Sequence, residues 1–250
     1  MNEERLPTFP EIKGWLAQHR ELVAIVGTAA ISLIGIQYYV RAGGFATHMS
    51  SVTPATEWSP PLQRLVCWAL GSVFFYLCLP MIVLWSCRRS GRECGWTVRG
   101  LADHWVSYLI LFIPVSVAVV IVSGRADFLA NYPFLHHPAN WQELLIWELC
   151  YIAQFIALEF FFRGFMVLGL RKHVGDIAAV LIMLLPYVMI HFGKPLLETC
   201  GALIAGAVLG LLALRTGSMA GGACLHAMVA VQMDLFALSR KGWFAPGLAD

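Results

Sequence analysis

Polar positions are rare along this chain, and the apolar stretches between them run to about 20 residues. A helix rising 1.5 Å per residue needs about that length to cross a hydrocarbon layer about 30 Å thick. Seven such stretches are read at 22–40, 64–87, 104–123, 144–170, 177–192, 197–215 and 219–238. The fourth exceeds a single perpendicular crossing, so it tilts or extends beyond the bilayer. The fifth and sixth are short, and Gly193-Lys194-Pro195 between them breaks the helix. Segments of that kind line cavities instead of facing lipid. An interfacial helix at 9–20 makes an eighth element. The polar stretches 41–63 and 124–142 read as surface loops or short interfacial helices, with Trp58, Tyr132 and Trp141 suited to the headgroup level. The expected fold is all-α, a polytopic transmembrane helical bundle of about 7 to 8 membrane helices.

Composition agrees with that pattern. Apolar residues make up 59% of the chain and charged residues 13%, the latter about half of the roughly 25% of soluble domains. A net charge of +2 gives no support for nucleic acid or an acidic partner. Cys67, Cys78, Cys87, Cys94, Cys150, Cys200 and Cys224 form no CxxC pair. They read as small packing residues, neither a disulfide framework nor a zinc site. Arg5, Lys13, Arg20, Arg88, Arg89, Arg92, Arg99, Arg171, Lys172 and Arg215 fall on one side of the predicted topology. Arg41, Arg64, Arg125, Lys194, Arg240 and Lys241 fall on the other, so the bias places the N-terminus inside and the C-terminus outside. The first span has no small-residue cleavage site after it and reads as a retained signal anchor. Short loops point to a bacterial inner membrane.

Candidate chemistry lies where charge interrupts the apolar runs. Glu159 and Arg163 are four residues apart in the fourth span, on one helix face. Charges at mid-bilayer cost roughly 2.5 to 3.5 kcal/mol each and are usually paired and turned inward. The pair reads either as an internal ion pair locking two helices or as an acid or base with Arg163 setting its charge state. Glu148, about 16 Å along the same helix, is expected near the opposite membrane surface. His191 ends the fifth span, followed by Lys194, which could snorkel to the headgroups, and by Glu198 at the start of the sixth. His226 lies well inside the last span, with Gln232 and Asp234 beyond it, the latter expected to face the surface. Ala202, Gly206 and Gly210 form a small-residue ridge for close packing. The run Gly217–Gly222 lets the sixth and seventh helices turn sharply, holding His226 near the other site helices.

Three elements occur in order: Glu159-Phe160-Phe161-Phe162-Arg163-Gly164, then Tyr187-xxx-His191, then Thr216-Gly217-Ser218 leading to His226. This resembles the CPBP family of intramembrane proteases, the CAAX-processing and bacteriocin-processing group that includes the Rce1-type endopeptidases. The resemblance covers about 140 to 240. It implies N-terminal transmembrane helices over 1–140 and catalytic core helices over 141–240, within one integral membrane domain. It also implies a site cavity formed by the C-terminal helices, open to the cytoplasmic half of the bilayer. In the family a glutamate and the first histidine activate a water, while the second histidine and an asparagine one turn later stabilise the oxyanion. Carried over, His191 positions or deprotonates the water, His226 donates to the oxyanion and Arg163 orients the glutamate.

Two positions depart from the family pattern. It has adjacent glutamates, the first generally assigned to catalysis, and here that position is Leu158. Where the family has asparagine, four residues after the second histidine, this chain has Ala230. Either Glu159 is the catalytic carboxylate in a rotated helix, or Glu198 reaches the water, or the site is inactive. The expected function is an intramembrane endopeptidase acting on a membrane-associated peptide or protein, with membrane lipid around it and no cofactor. Zinc ranks lower, because HExxH is absent and Arg163 disfavours a divalent cation beside Glu159. The alternatives are an inactive membrane scaffold or immunity protein, and a proton-coupled transporter, against which the absence of an internal repeat argues.

Overall fold

A computed structural model describes residues 6–52 and 57–245, so Arg5 lies outside the described residues. All regular structure among these residues is helical. A short helix α1 (Phe9–Gln18) precedes α2 (Arg20–Gly35), which continues through a wide π turn at Ile36–Val40. After α3 (Gly44–Val52) come α4 (Pro60–Val73), a π turn at Phe74–Cys78 and α5 (Leu79–Ser86) as one rod. Then follow α6 (Trp105–Val122) and the short α7 (Ala126–Asn131). The longest rod is α8 (Trp141–Glu159), a π segment at Phe160–Leu168, and α9 (Gly169–Val174). Three helices close the chain: α10 (Asp176–Met189), α11 (Leu196–Thr216) and α12 (Ala220–Arg240).

Six of these rods are long and apolar enough to cross a membrane: Arg20–Val40, Pro60–Ser86, Trp105–Val122, Trp141–Val174, Leu196–Thr216 and Ala220–Arg240. The remaining predicted span, the fifth, is helical but shorter, Asp176–Met189. The interfacial helix expected at 9–20 forms as α1, and the polar stretches 41–63 and 124–142 hold α3 and α7. The protein is an integral membrane helical bundle.

Local chemistry sets the ends of the site helices. Asn140 caps α8, its side-chain oxygen accepting from the Glu143 N–H at 2.9 Å. The Glu143 carboxylate accepts from the Ser59 N–H at 2.7 Å and the Ser59 hydroxyl at 2.9 Å, which ties the start of α4 to the start of α8. At Gly193 the chain turns with φ +89°, a conformation that costs glycine little, and Pro195 then opens α11. The start of α12 is fastened to the loop after α5: the Met219 N–H donates to the Gly95 carbonyl at 3.0 Å, and the Ser218 hydroxyl donates to the Thr97 carbonyl.

The main core gathers α2, the α4–α5 rod, the π segment, α10 and parts of α11 and α12 around Phe160, Phe161, Phe162 and Phe165. The ridge Ala202–Gly206–Gly210 of α11 lies buried against α10. A Cβ on Gly206 would come within 2.7 Å of the Tyr187 ring and 2.8 Å of Leu184. Overpacking of that kind typically costs about 1–3 kcal/mol. Gly206→Ala is therefore expected to lower the thermal midpoint in detergent. Gly201→Ala, where a Cβ meets nothing within 4 Å, is expected to leave it unchanged or raise it. Equal midpoints for the two variants would show that α10 and α11 do not pack this closely.

Candidate functional site

Glu159 closes the α-helical part of α8, and Arg163 falls in the π segment that follows. In a π turn the backbone bonds run i→i+5 and the helix is wider, and such turns concentrate at functional sites. The spacing of four still stacks the two side chains: Arg163 Nη1 lies 2.9 Å from Glu159 Oε1. The side chains are 1% and 0% exposed. This is a charge contact without hydrogen-bond alignment, because no guanidinium nitrogen of Arg163 makes a hydrogen bond among the described residues. The guanidinium also lies over the Tyr187 ring, 4.2 Å from its centroid, a cation–π contact that strengthens when desolvated.

Glu159 has a second partner from α12. His226 Nδ1 stands 3.0 Å from the same oxygen, Oε1. The carboxylate can only accept, so in this contact Nδ1 carries the hydrogen and Nε2 is left for other partners. The imidazole is tilted against the Phe155 ring at 4.3 Å, and at 18% exposure it is the open edge of an otherwise closed pair. The approach of α12 depends on Gly222, where a Cβ would come within 2.6 Å of Glu159 Oε2. That second oxygen is buried and has no hydrogen-bond partner among the described residues.

His191 sits in the turn just after α10, buried. Its Nδ1 lies 2.8 Å from the Tyr187 carbonyl, so Nδ1 donates and Nε2 of the neutral ring is an acceptor. The Thr199 hydroxyl donates to the His191 carbonyl at 3.0 Å and holds the turn against α11. Tyr187 links the groups, its ring 5.0 Å from His191 and 6.5 Å from His226. The structure thus gathers Glu159, Arg163, His226 and His191 around one tyrosine.

Glu198 is held elsewhere. Its carboxylate takes the Tyr132 hydroxyl at 2.8 and 2.9 Å and the Lys194 ammonium at 2.7 Å. Among the described residues none of its hydrogen bonds or ion pairs reaches Glu159 or either histidine. Lys194, expected to snorkel, instead bridges Glu198 and the Tyr132 oxygen, the latter at 3.1 Å. Burial, and then the adjacent Glu198 carboxylate, push the Tyr132 phenol well above its ordinary range.

Two further carboxylates are buried, one of them against expectation. Asp234, expected at the surface, is fully buried and accepts from Trp147 Nε1 at 2.8 Å and from the Phe134 N–H at 3.4 Å. Glu148 is 8% exposed, with neither oxygen hydrogen-bonded among the described residues. Tyr132, Tyr187 and Trp147 complete these clusters from distant sequence positions. Only Tyr187 carried a signal, through its spacing to His191. Leu158 packs in the main core, and Ala230 packs among Trp147, Tyr151 and Phe155. Among the described residues no three His, Cys, Asp or Glu side chains gather as a metal site.

Removing one member of a buried ion pair typically costs about 3–5 kcal/mol, because the other charge is left uncompensated. Glu159→Gln is therefore expected to lower the thermal midpoint in detergent. Glu159→Gln combined with Arg163→Met is expected to recover much of that loss. A double variant no more stable than the single one would show that Arg163 is not balanced by Glu159.

No curated protein and no solved structure matches the chain. Residues 140–231 match the family model described as Rce1-like, type II CAAX prenyl endopeptidase Rce1-like. The matched segment runs from the Asn140 cap of α8 to the middle of α12 and contains Glu159, Arg163, His191, Glu198 and His226. The resemblance carried by the three sequence elements and this match agree: the site-bearing segment of this membrane protein is similar to the Rce1-like, CAAX-protease family.

Proposed function

We propose that the chain is an intramembrane endopeptidase that cleaves a membrane-associated peptide or protein with water activated by His191, while His226, anchored by Glu159, stabilises the oxyanion. The observation that carries this reading is the 3.0 Å contact between Glu159 and His226, made from helices 67 residues apart in the segment that matches a protease family. His191, with Nδ1 engaged by the Tyr187 carbonyl, has Nε2 free to accept a proton from water. The water oxygen attacks the scissile carbonyl as its proton passes to His191. When His226 is protonated, its Nε2 donates to the oxyanion while Nδ1 stays on Glu159. As the C–N bond breaks, His191 returns its proton to the leaving nitrogen, which balances the hydrolysis.

In this reading Glu159 is a positioning carboxylate, fixed by Arg163 and fully covered. Arg163 Nη1 occupies one approach to Glu159 Oε1 and His226 occupies another. That arrangement suits a metal-independent site better than a zinc set. The proposed setting is a bacterial inner membrane. A second reading, an inactive membrane scaffold, is favoured by Leu158 in the core where the family has its first glutamate, and by Ala230 in place of the asparagine.

The test compares peptide termini by mass spectrometry in cells expressing wild type, Glu159→Gln, His191→Ala, His226→Ala and Glu198→Gln at matched membrane levels. General acid–base groups typically contribute about 10²- to 10⁴-fold. The first three variants are expected to lose product termini by at least 10²-fold, and Glu198→Gln to keep them. Loss confined to Glu198→Gln would move the catalytic carboxylate to α11. Identical termini in all five strains would establish the scaffold reading.

A further inference from the structure

A shallow, open cavity of about 740 Å³ lies where α5 ends and α10 begins, and its polar wall is mostly cationic. Arg88 and Arg89 follow α5, Arg171 and Lys172 come from α9, and the carboxylates of Glu93 and Asp176 share the lining. Leu168 supplies an apolar wall. The carboxylates nearby are largely committed. Arg89 pairs with Glu93 at 2.8 Å and with Glu21 at 3.5 Å. Lys172 pairs with Glu21 at 2.5 Å, and Arg171 grips Asp176 through two nitrogens at 2.9 and 3.1 Å. Four cations against Glu21, Glu93 and Asp176 leave one positive charge over.

That charge is Arg88. It makes no ion pair among the described residues and is exposed. It is also the only described residue other than glycine with a positive φ, at 58°. Such a conformation is unfavourable for an arginine and persists where the surrounding structure imposes it. The level in the membrane is set by neighbouring residues. Trp85, one position from the end of α5, is 80% exposed, as suits a ring at the headgroup boundary. Ile82, one turn earlier, faces outward along the same helix.

We propose that this cavity binds the phosphodiester of an anionic phospholipid. One net negative charge meets the one cation of the lining that has no ion pair among the described residues, and the acyl chains lie along the outward apolar face of α5. Arginine suits this role because its guanidinium engages two phosphate oxygens at once. The site is independent of the protease reading, since it needs only the membrane setting.

The test is native mass spectrometry of the protein released from nanodiscs of mixed phosphatidylglycerol and phosphatidylcholine. It compares wild type with Arg88→Asn and with Arg99→Asn, an arginine outside the cavity. Asparagine tolerates the left-handed backbone, and matched thermal midpoints check the fold. A basic residue at a charged membrane surface is worth about fivefold in retention. Phosphatidylglycerol is expected to be retained over phosphatidylcholine by wild type, about fivefold less by Arg88→Asn, and unchanged by Arg99→Asn. Equal retention by wild type and Arg88→Asn would overturn the proposal. Displacement of the lipid by inorganic phosphate would overturn the phospholipid assignment and make the cavity a free-phosphate site.

Discussion

A carboxylate and a guanidinium buried in apolar surroundings constrain everything near them. Neither Glu159 nor Arg163 can be left without the other, so the helix that carries them must keep both on one side and every neighbour must accommodate the pair. Tyr187 covers the cation with its ring face, His226 shares the anion, and Gly222 gives up its side chain to let α12 come close. The phenylalanines on either side of the pair are fully buried and shut water out, which strengthens each remaining electrostatic contact. Packing, helix approach and site geometry therefore follow from one charged contact.

The arrangement also divides labour between the two ends of the bundle. At one end, Tyr132, Lys194 and Glu198 join the loop after α7 to the α10–α11 turn. At the other, Glu21, Arg89 and Lys172 join α2 to α5 and α9. Aromatic rings flank both histidines, Phe155 beside His226 and Tyr187 beside His191.

Much of the fold was legible in the chain because a membrane helix announces itself through length and apolar content alone. The break at Gly193-Lys194-Pro195, the interfacial α1 and the outsized fourth rod were all readable for that reason. Contacts between distant positions were not. Asp234 looked like a surface residue because its partner, Trp147, is 87 residues away. Glu198 sat in a conspicuously polar stretch, yet its main partner, Tyr132, is 66 residues away. The π segment after Glu159 left no trace in local composition, since apolar residues fill α and π turns alike. The proximity of Glu159 and Arg163 was visible, because a helix brings i and i+4 together. Their meeting with His226 required the fold.

The brevity of α10 bears on the membrane itself. Fourteen residues rise about 21 Å, against a hydrocarbon layer of about 30 Å. Ile177, Leu181, Leu185 and Met189 face outward along this helix, so lipid meets a short apolar wall. A flanking lysine could have bridged the difference by reaching outward, but Lys194 is bound to Glu198. Local thinning of the bilayer is one way to meet so short a wall, and beside α10 it would draw headgroups toward the turn that holds His191. Under the endopeptidase reading proposed above, such thinning would shorten the distance that a polypeptide at the membrane surface must descend to the site, with no moving part required.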